Sequence, residues 1–250
     1  MRITFLGTGN ARGMPVWGSD SPVSKRARAD ATYRRYPSAI LVEYQGECLL
    51  VDAGRPDLSW ILDPFTLSTV CISHYHSDHV IGLLTMKWGK GKCLKTFVPK
   101  GAEAYADIAL DPGILDLEEV ELFQSYQRGP FTIIPIPLKH SIQTQGFWIA
   151  CNGKKLAYLS DTCGLPEETT SFLKKENADL VVLDCNQPFR KSGNMSHNGL
   201  EDIINIQESC QMKRIYLTHI GETMDQYLMD HEDSLPVGVQ VARDGACVDI

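Results

Sequence analysis

The sequence predicts an α/β protein built from two mixed β-sheets flanked by helices. Three observations carry that expectation. Short β-type runs come as consecutive hairpins early in the chain, they alternate with helical segments late in it, and the longest apolar stretches, such as AILVEY and ADLVVLD, are strand-sized. A doubly wound parallel sheet requires a cleaner strand and helix alternation than this chain has.

RITFLGTGN opens the chain as a short strand ended by glycines, and AILVEY with ECLLVDAG reads as a hairpin turning at Gln45-Gly46. STVCIS is a strand that stops at Ser73. The stretch after His79 and the segment from about Gly101 to Ala109 have helical character. FTIIPIPL is a strand whose prolines suit an end or a bulge, and GFWIACNGKKLAYLS is a hairpin through Asn152-Gly153 that gives out at Ser160. PEETTSFLKKE is a helix with Pro166 in its first turn, DLVVLD a strand, GLEDIINIQES a helix and RIYLTHI a further strand. No fixed-period repeat, low-complexity tract or linker interrupts the order, so one domain over residues 1–250 is expected.

Hydrophobic residues make up 43% of the chain and charged residues 22%, enough apolar surface for a large core and not a composition of disorder. Cys48, Cys71, Cys93, Cys151, Cys163, Cys185, Cys210 and Cys247 are scattered without a CxxC pair, mostly in or beside apolar runs. They read as free thiols in a reducing compartment. Met1 leads directly into a strand pattern without a basic n-region and a long apolar h-region, and no run has membrane-spanning length. A soluble cytoplasmic protein with no membrane partner is therefore expected. The net charge of −7, from 24 Lys+Arg against 31 Asp+Glu, argues against a protein that grips long nucleic acid. A small anionic substrate stays compatible with that charge, because bound metal ions supply positive charge locally.

After the strand STVCIS the chain reads His74-Tyr75-His76-Ser77-Asp78-His79, four ligand types within six positions. Imidazole nitrogen with carboxylate oxygen suits zinc, manganese or iron. Three more ligand types follow other strand ends: His140 after FTIIPIPLK, Asp161 after LAYLS and His219 after RIYLT. A catalytic pair of ions needs three or four protein ligands each and a position left for water, and these seven residues meet that count. Isolated histidines are more often satisfied core or surface residues, and His231 in the charged DHED segment reads as solvated.

HYHSDH, with ITFLGTG before it and VDAG between, resembles the HxHxDH pattern of the metallo-β-lactamase superfamily, whose αββα sandwich fits the order of strands and helices above. The likeness runs on through MKWG, PLKHS, LSDTCGLPE, VVLDC and LTHI, and over nearly the whole chain it is similar to the PhnP-type cyclic-phosphate phosphodiesterases of phosphonate breakdown. That resemblance implies His74, His76 and His140 at one ion, Asp78, His79 and His219 at the other, and Asp161 bridging two Mn2+ or Zn2+ ions. It further implies catalytic roles for Asp78 and Asp161, and for His197 in NMSHNGL as a proton donor near the leaving group. Asp52 in VDAG and Asp184 in LDC are expected to orient ligand histidines. The implied reaction is hydrolysis of a small phosphodiester, such as 5-phosphoribosyl 1,2-cyclic phosphate or a 2′,3′-cyclic nucleotide, by a metal-activated hydroxide. A homodimer is left open.

The chain departs from the PhnP pattern at a structural zinc site. Where three cysteines and a histidine are expected it carries Ser19, Ser21, Ser24 and Glu222, a set with little hold on zinc, so no third metal is expected and the loop must be tied by hydrogen bonds or be mobile. The basic run KRARADATYRR, with Lys25, Arg26, Arg28, Arg34 and Arg35, reads first as a solvated face, with a phosphate-contacting flap as its alternative. Rival functions are a tRNA 3′-processing endonuclease, which shares ITFLGTG and HxHxDH, a lactone or thioester hydrolase, and a noncatalytic metal-binding protein. The acidic charge and the absence of a long basic, glycine-rich arm count against the endonuclease.

Overall fold

The computed structural model describes residues 1–190, 196–231 and 235–250. Asn194 and Met195 of the NMSHNGL motif and Glu232 and Asp233 of DHED lie outside the described residues. Two seven-stranded sheets are formed among the described residues. The first contains β1 (Arg2–Gly7), β2 (Ala39–Tyr44), β3 (Glu47–Val51), β4 (Leu67–Cys71), β5 (Leu94–Pro99), β6 (Leu115–Val120) and β14 (Cys247–Asp249), in the order β14-β1-β2-β3-β4-β5-β6. The second contains β7 (Tyr126–Arg128), β8 (Phe131–Pro137), β9 (Gln145–Cys151), β10 (Lys154–Leu159), β11 (Leu180–Asp184), β12 (Ile215–Thr218) and β13 (Val239–Val241), in order β13-β12-β11-β10-β9-β8-β7. Each sheet is antiparallel at one end and parallel at the other, so both are mixed as expected.

Strand periodicity explains why the sheets stack. Ile40, Val42, Leu49 and Val51 point into one core cluster with Phe147, Ile149, Leu156, Tyr158, Leu180 and Val182 of the facing sheet. Their neighbours Leu41 and Leu50 turn the other way, onto single helical turns α2 (Leu58–Ile61), α3 (Ser77–Val80) and α4 (Leu83–Met86). Trp148, Ala157, Val181 and Leu183 likewise face outward. Because successive side chains of a strand alternate faces, sequences apolar at nearly every position are what a layer buried on both sides requires. A short helix α5 (Ala106–Leu110) and two longer ones, α6 (Glu167–Glu176) and α7 (Leu200–Cys210), add cover; α7 buries Leu200, Ile203, Ile206 and Cys210, one face at helical spacing.

Most local expectations hold. Gln45 and Gly46 have φ of 50° and 84°, and Asn152 and Gly153 have 50° and 73°, the left-handed pairs that tight hairpins need. The prolines of β8 avoid its fully paired half: β7 pairs only with Phe131 to Ile133, leaving Pro135 and Pro137 where a missing N–H costs least. Six of the eight cysteines are buried free thiols, and Cys93 and Cys247 are exposed. Among the described residues no helix is long and apolar enough to cross a membrane.

Three expectations are corrected. The helix placed from Gly101 to Ala109 exists only as α5, beginning at Ala106, and Gly101 itself has left-handed backbone at φ 70°. Two helices went unread: α1 (Pro22–Ala29), capped by the Ser21 hydroxyl accepting from Ser24 N, and α8 (Glu222–Asp230). The basic run is not simply a solvated face. Arg35 is buried, donating from Nε and Nη2 to both Asp225 oxygens at 2.8 and 2.9 Å and from Nη1 to Thr8 Oγ1 and the Ala242 carbonyl.

Candidate metal centre and catalytic cleft

The carboxyl ends of β3, β4, β8, β10, β11 and β12 open on one edge of the sandwich, and the seven ligand-type residues meet there. The sheets deliver them through abrupt strand ends. Asp52, Asp161 and His219, which follow β3, β10 and β12, all have left-handed backbone, with φ of 55°, 62° and 57°. Such backbone is uncommon for residues with a Cβ and points to a constrained site. Gly54 of VDAG packs so close to the ligand loop that a Cβ there would lie 2.1 Å from the Asp78 carbonyl oxygen. Only glycine lets the two loops approach.

One group comprises His74, His76, His140 and Asp161, and a second Asp78, His79, Asp161 and His219; within each group the ligand atoms lie within 4.8 Å of one another. His74 Nε2 is 2.9 Å from His76 Nδ1, and His140 Nε2 is 3.2 Å from the same atom. Asp161 stands between the groups with a different oxygen toward each. Its Oδ2 is 3.6 Å from His74 Nε2 and 3.6 Å from His140 Nε2, whereas its Oδ1 is 3.3 Å from His79 Nε2 and 3.4 Å from His219 Nε2. Asp78 Oδ2 closes the second group at 3.3 Å from His219 Nε2 and 3.6 Å from His79 Nε2.

This donor set fits a pair of divalent cations. Ligands about 2.0–2.1 Å from a tetrahedral ion are separated from each other by roughly 3.3–3.4 Å, the middle of the spacings above. Among the described residues His79 Nε2 is buried without a hydrogen-bond partner, as an atom reserved for a cation would be. Burial, joined by the neighbouring His79, holds His74 well below the ordinary imidazole range, and burial also lowers His76 and His140. Burial raises the Asp161 carboxyl, but His219 and His79 outweigh it and hold Asp161 well below the usual carboxylate range. Burial opposes charge on His79 too, yet Asp161 and Asp52 overcome it and raise its pKa, so this pocket of carboxylates attracts positive charge.

The outer nitrogens are anchored. His79 Nδ1 donates to Asp52 Oδ2 at 2.7 Å, His140 Nδ1 to the Ser196 carbonyl at 2.8 Å, and His74 Nδ1 meets Ser73 Oγ at 3.0 Å. Asp52 also accepts from Ser73 N, Ser73 Oγ and Tyr158 Oη. Asp184 serves two rings, accepting from His197 Nδ1 at 2.9 Å and lying 3.7 Å from His219 Nδ1. The contact of Asp52 with His79 fits the orienting role expected of it, whereas Asp184 hydrogen-bonds His197 and stands beyond hydrogen-bond distance of the ligand His219. Tyr158, Ser73 and Asn198, whose Oδ1 holds Gly164 N at 2.7 Å, belong to the same support and carried no signal of it in the sequence.

A cleft of about 420 Å³ lies over the cluster, bordered by Arg12, His76, Asp161, Asn186, His197 and Glu222 among others. Burial opposes protonation of His197, but the Asp184 carboxylate raises its pKa to about 9. Cations in the neighbouring groups pull the other way. His231, by contrast, is exposed and stacks on Tyr227, away from these groups.

At the positions where no structural zinc is expected, Glu222 Oε1 accepts hydrogen bonds from Ser19 Oγ at 2.5 Å, Ser21 Oγ at 2.5 Å and Ser24 Oγ at 2.7 Å. Three hydroxyls converge on one carboxylate oxygen, which fastens the loop before α1 and the first turn of α1 to the first residue of α8.

Residues 49–220 match the family model described as the β-lactamase superfamily domain. The chain belongs to that superfamily. Its fold is the metallo-β-lactamase sandwich, as solved relatives agree. A diphosphatase of the PhnP family superposes with a TM-score of 0.83 at 22% identity, covering 100% of this chain and 97% of that one. Zinc-bound PqqB from Methylobacterium extorquens superposes with a TM-score of 0.81 at 19% identity, covering 100% of both chains. In sequence, ribonuclease Z of Pyrobaculum islandicum is 31% identical over 176 residues, 67% of this chain and 52% of that enzyme. The chain therefore spans about half the length of that relative.

Proposed function

We propose that this superfamily member is a binuclear metal-dependent phosphodiesterase acting on a small, cyclic phosphodiester. The observation that carries the reading is Asp161 presenting one oxygen to each ligand group on the floor of a cleft that His197 borders. When bound, two divalent cations supply neutralisation of phosphoryl oxygens and activation of water at neutral pH. His74, His76 and His140 would hold one cation and Asp78, His79 and His219 the other, with Asp161 offering an oxygen to each group.

The remaining work falls to the chain itself. Asp184 holds His197 by Nδ1, so the proton to be transferred sits on Nε2, the nitrogen left for the substrate. From there it passes to the departing alkoxide oxygen when the P–O bond breaks. Arg12, exposed at the cleft and without an ion-pair partner among the described residues, offers a guanidinium to a second anionic group of the substrate. A cleft of this size suits a sugar phosphate or a nucleotide.

A second reading, tRNA 3′-end cleavage, draws on the likeness to ribonuclease Z. The net charge of −7 counts against it. The deciding experiment loads the purified protein with Zn2+ or Mn2+ and compares 5-phosphoribosyl 1,2-cyclic phosphate, 2′,3′-cyclic nucleotides, bis(p-nitrophenyl) phosphate, a precursor tRNA, a lactone and a thioester. Turnover of the cyclic phosphates above all others is expected. Preference for the precursor tRNA establishes the second reading, and preference for the lactone or thioester removes phosphodiester chemistry altogether. His197→Ala separates the proton donor from the ligands: it slows substrates with poor leaving groups far more than p-nitrophenyl esters while both cations stay bound.

A further inference from the structure

Arg26 on α1 and Arg243 after β13 lie against one ring, with guanidinium carbons 4.1 and 5.7 Å from the Tyr33 centroid. They border a pocket of about 270 Å³ completed by Leu228, Leu235 and Val241 and two further residues. It is separate from the catalytic cleft. Glu222 borders the cleft and Leu228 this pocket, six residues along α8 or about 9 Å at the helical rise.

Among the described residues the cations here outnumber the carboxylates that meet them. Arg35 and Arg243 lie at Asp225, whose oxygens are both taken by Arg35, and Arg26 lies close enough to Arg243 to repel it. Arg243 Nη1 comes only within 3.9 Å of Asp225. Asp244, next along the chain, is engaged with Thr8 Oγ1 and Tyr36 N, and Asp30 with Thr32. Arg26 Nε and Arg243 Nη1 are buried and have no acceptor among the described residues. Burial first, and then repulsion from Arg35 and Arg26, lowers the Arg243 pKa. A tyrosine face relieves part of the cost of two close guanidiniums but accepts neither N–H in a proper hydrogen bond. An oxyanion in the pocket that both guanidiniums line would supply the countercharge.

We infer that Arg26 and Arg243, packed against Tyr33, form an anion-binding site distinct from the catalytic cleft, taking the phosphate group of a small molecule whose apolar part rests on Leu228, Leu235 and Val241. The test uses inorganic phosphate as probe on the metal-loaded protein, with Arg26→Met and Arg243→Met as separate variants. In buffer free of multivalent anions each variant melts at or above the wild type, because one of two unneutralised like charges has been replaced by an apolar chain. Phosphate at several times its Kd then raises the wild type by roughly 2–4 °C more than either variant. Equal shifts in all three proteins would mean that phosphate acts at the cleft or by general screening, and the site would be refuted. Variants that melt lower by the same amount with and without phosphate would make the arginines structural only. Equilibrium dialysis gives a second readout should one variant not fold: the wild type retains one more phosphate per chain than the other variant, and equal retention overturns the site.

Discussion

Asp52 Oδ2 holds His79 Nδ1 at 2.7 Å and thereby turns His79 Nε2 toward Asp78 and Asp161. The same carboxylate accepts hydrogen bonds from Ser73 N, Ser73 Oγ and Tyr158 Oη, so among the described residues all four of its hydrogen bonds are donated to it. In Asp52→Asn the amide nitrogen must face one of these donors, and the charge that steadies His79 is lost. The expected result is a 10- to 100-fold weaker hold on one cation, with the fold retained. Competitive zinc titration with circular dichroism as a control checks it, and unchanged affinity would remove Asp52 from the metal centre's support.

Asp161 makes the sharper test of two-cation geometry, since its oxygens address different groups. Asp161→Ala is expected to reduce bound metal by more than one equivalent at cation concentrations that saturate the wild type, whereas His140→Ala is expected to reduce it by about one. Elemental analysis of gel-filtered protein reads both. Loss of a single equivalent from Asp161→Ala would mean that the carboxylate serves one ion and not two.

How far the sequence disclosed this site depended on where each contact came from. His74, His76, Asp78 and His79 were legible because they are adjacent in the chain. His140, Asp161 and His219 were legible because polar ligand types standing where apolar strands give out are conspicuous. The fold followed from hairpins early and helix-strand units late. Tyr158 was not legible: within LAYLS it is another apolar strand residue, and only the stacking of one sheet on the other brings its hydroxyl to Asp52. Arg35 was misread for a similar reason. A run of basic residues looks solvated until the chain folds Asp225, 190 positions away, against one of them.

The Arg35–Asp225 pair is fully enclosed, and Arg35 reaches in addition to Thr8 beside the ligand loops. Removing one partner of a buried, bidentate pair leaves the other charged and unpaired, which costs about 3–5 kcal/mol. Asp225→Ala is therefore expected to lower stability by that amount in urea unfolding. A loss below about 1 kcal/mol would show that water or a neighbouring group takes over the guanidinium.

Arg12 gives a prediction about substrate choice. Its guanidinium borders the cleft but takes no part in the ligand groups. Arg12→Ala should raise KM by about 5- to 20-fold for a cyclic phosphate that carries a second phosphate, with little change for bis(p-nitrophenyl) phosphate. Equal effects on both substrates would assign Arg12 to the scissile group instead. Steady-state kinetics at fixed ionic strength decide between the two, since an exposed charge is sensitive to salt.

The serine and glutamate latch predicts a pH dependence whose sign follows from its chemistry. Burial alone would raise the Glu222 carboxyl, but the hydroxyls of Ser19, Ser21 and Ser24, helped by Arg12, outweigh it and hold its pKa below the ordinary value of 4.5. A carboxyl depressed in the folded state contributes stability that is fully present above its unfolded pKa and is lost as pH falls through the folded one. The difference in unfolding free energy between wild type and Glu222→Ala is thus expected to be constant from neutral pH down to about pH 5, and to shrink below the ordinary glutamate range. Its neutral-pH size is on the order of 2 kcal/mol, because the three hydroxyls share one acceptor oxygen and cannot each count in full. With the cleft loaded with Zn2+ or Mn2+ in both proteins, a chelator is expected to lower both stabilities and leave their difference intact. That last comparison separates a hydrogen-bonded latch from a cation site: hydroxyls and a single carboxylate hold the loop without metal, and a difference abolished by the chelator would instead place an ion among Ser19, Ser21, Ser24 and Glu222.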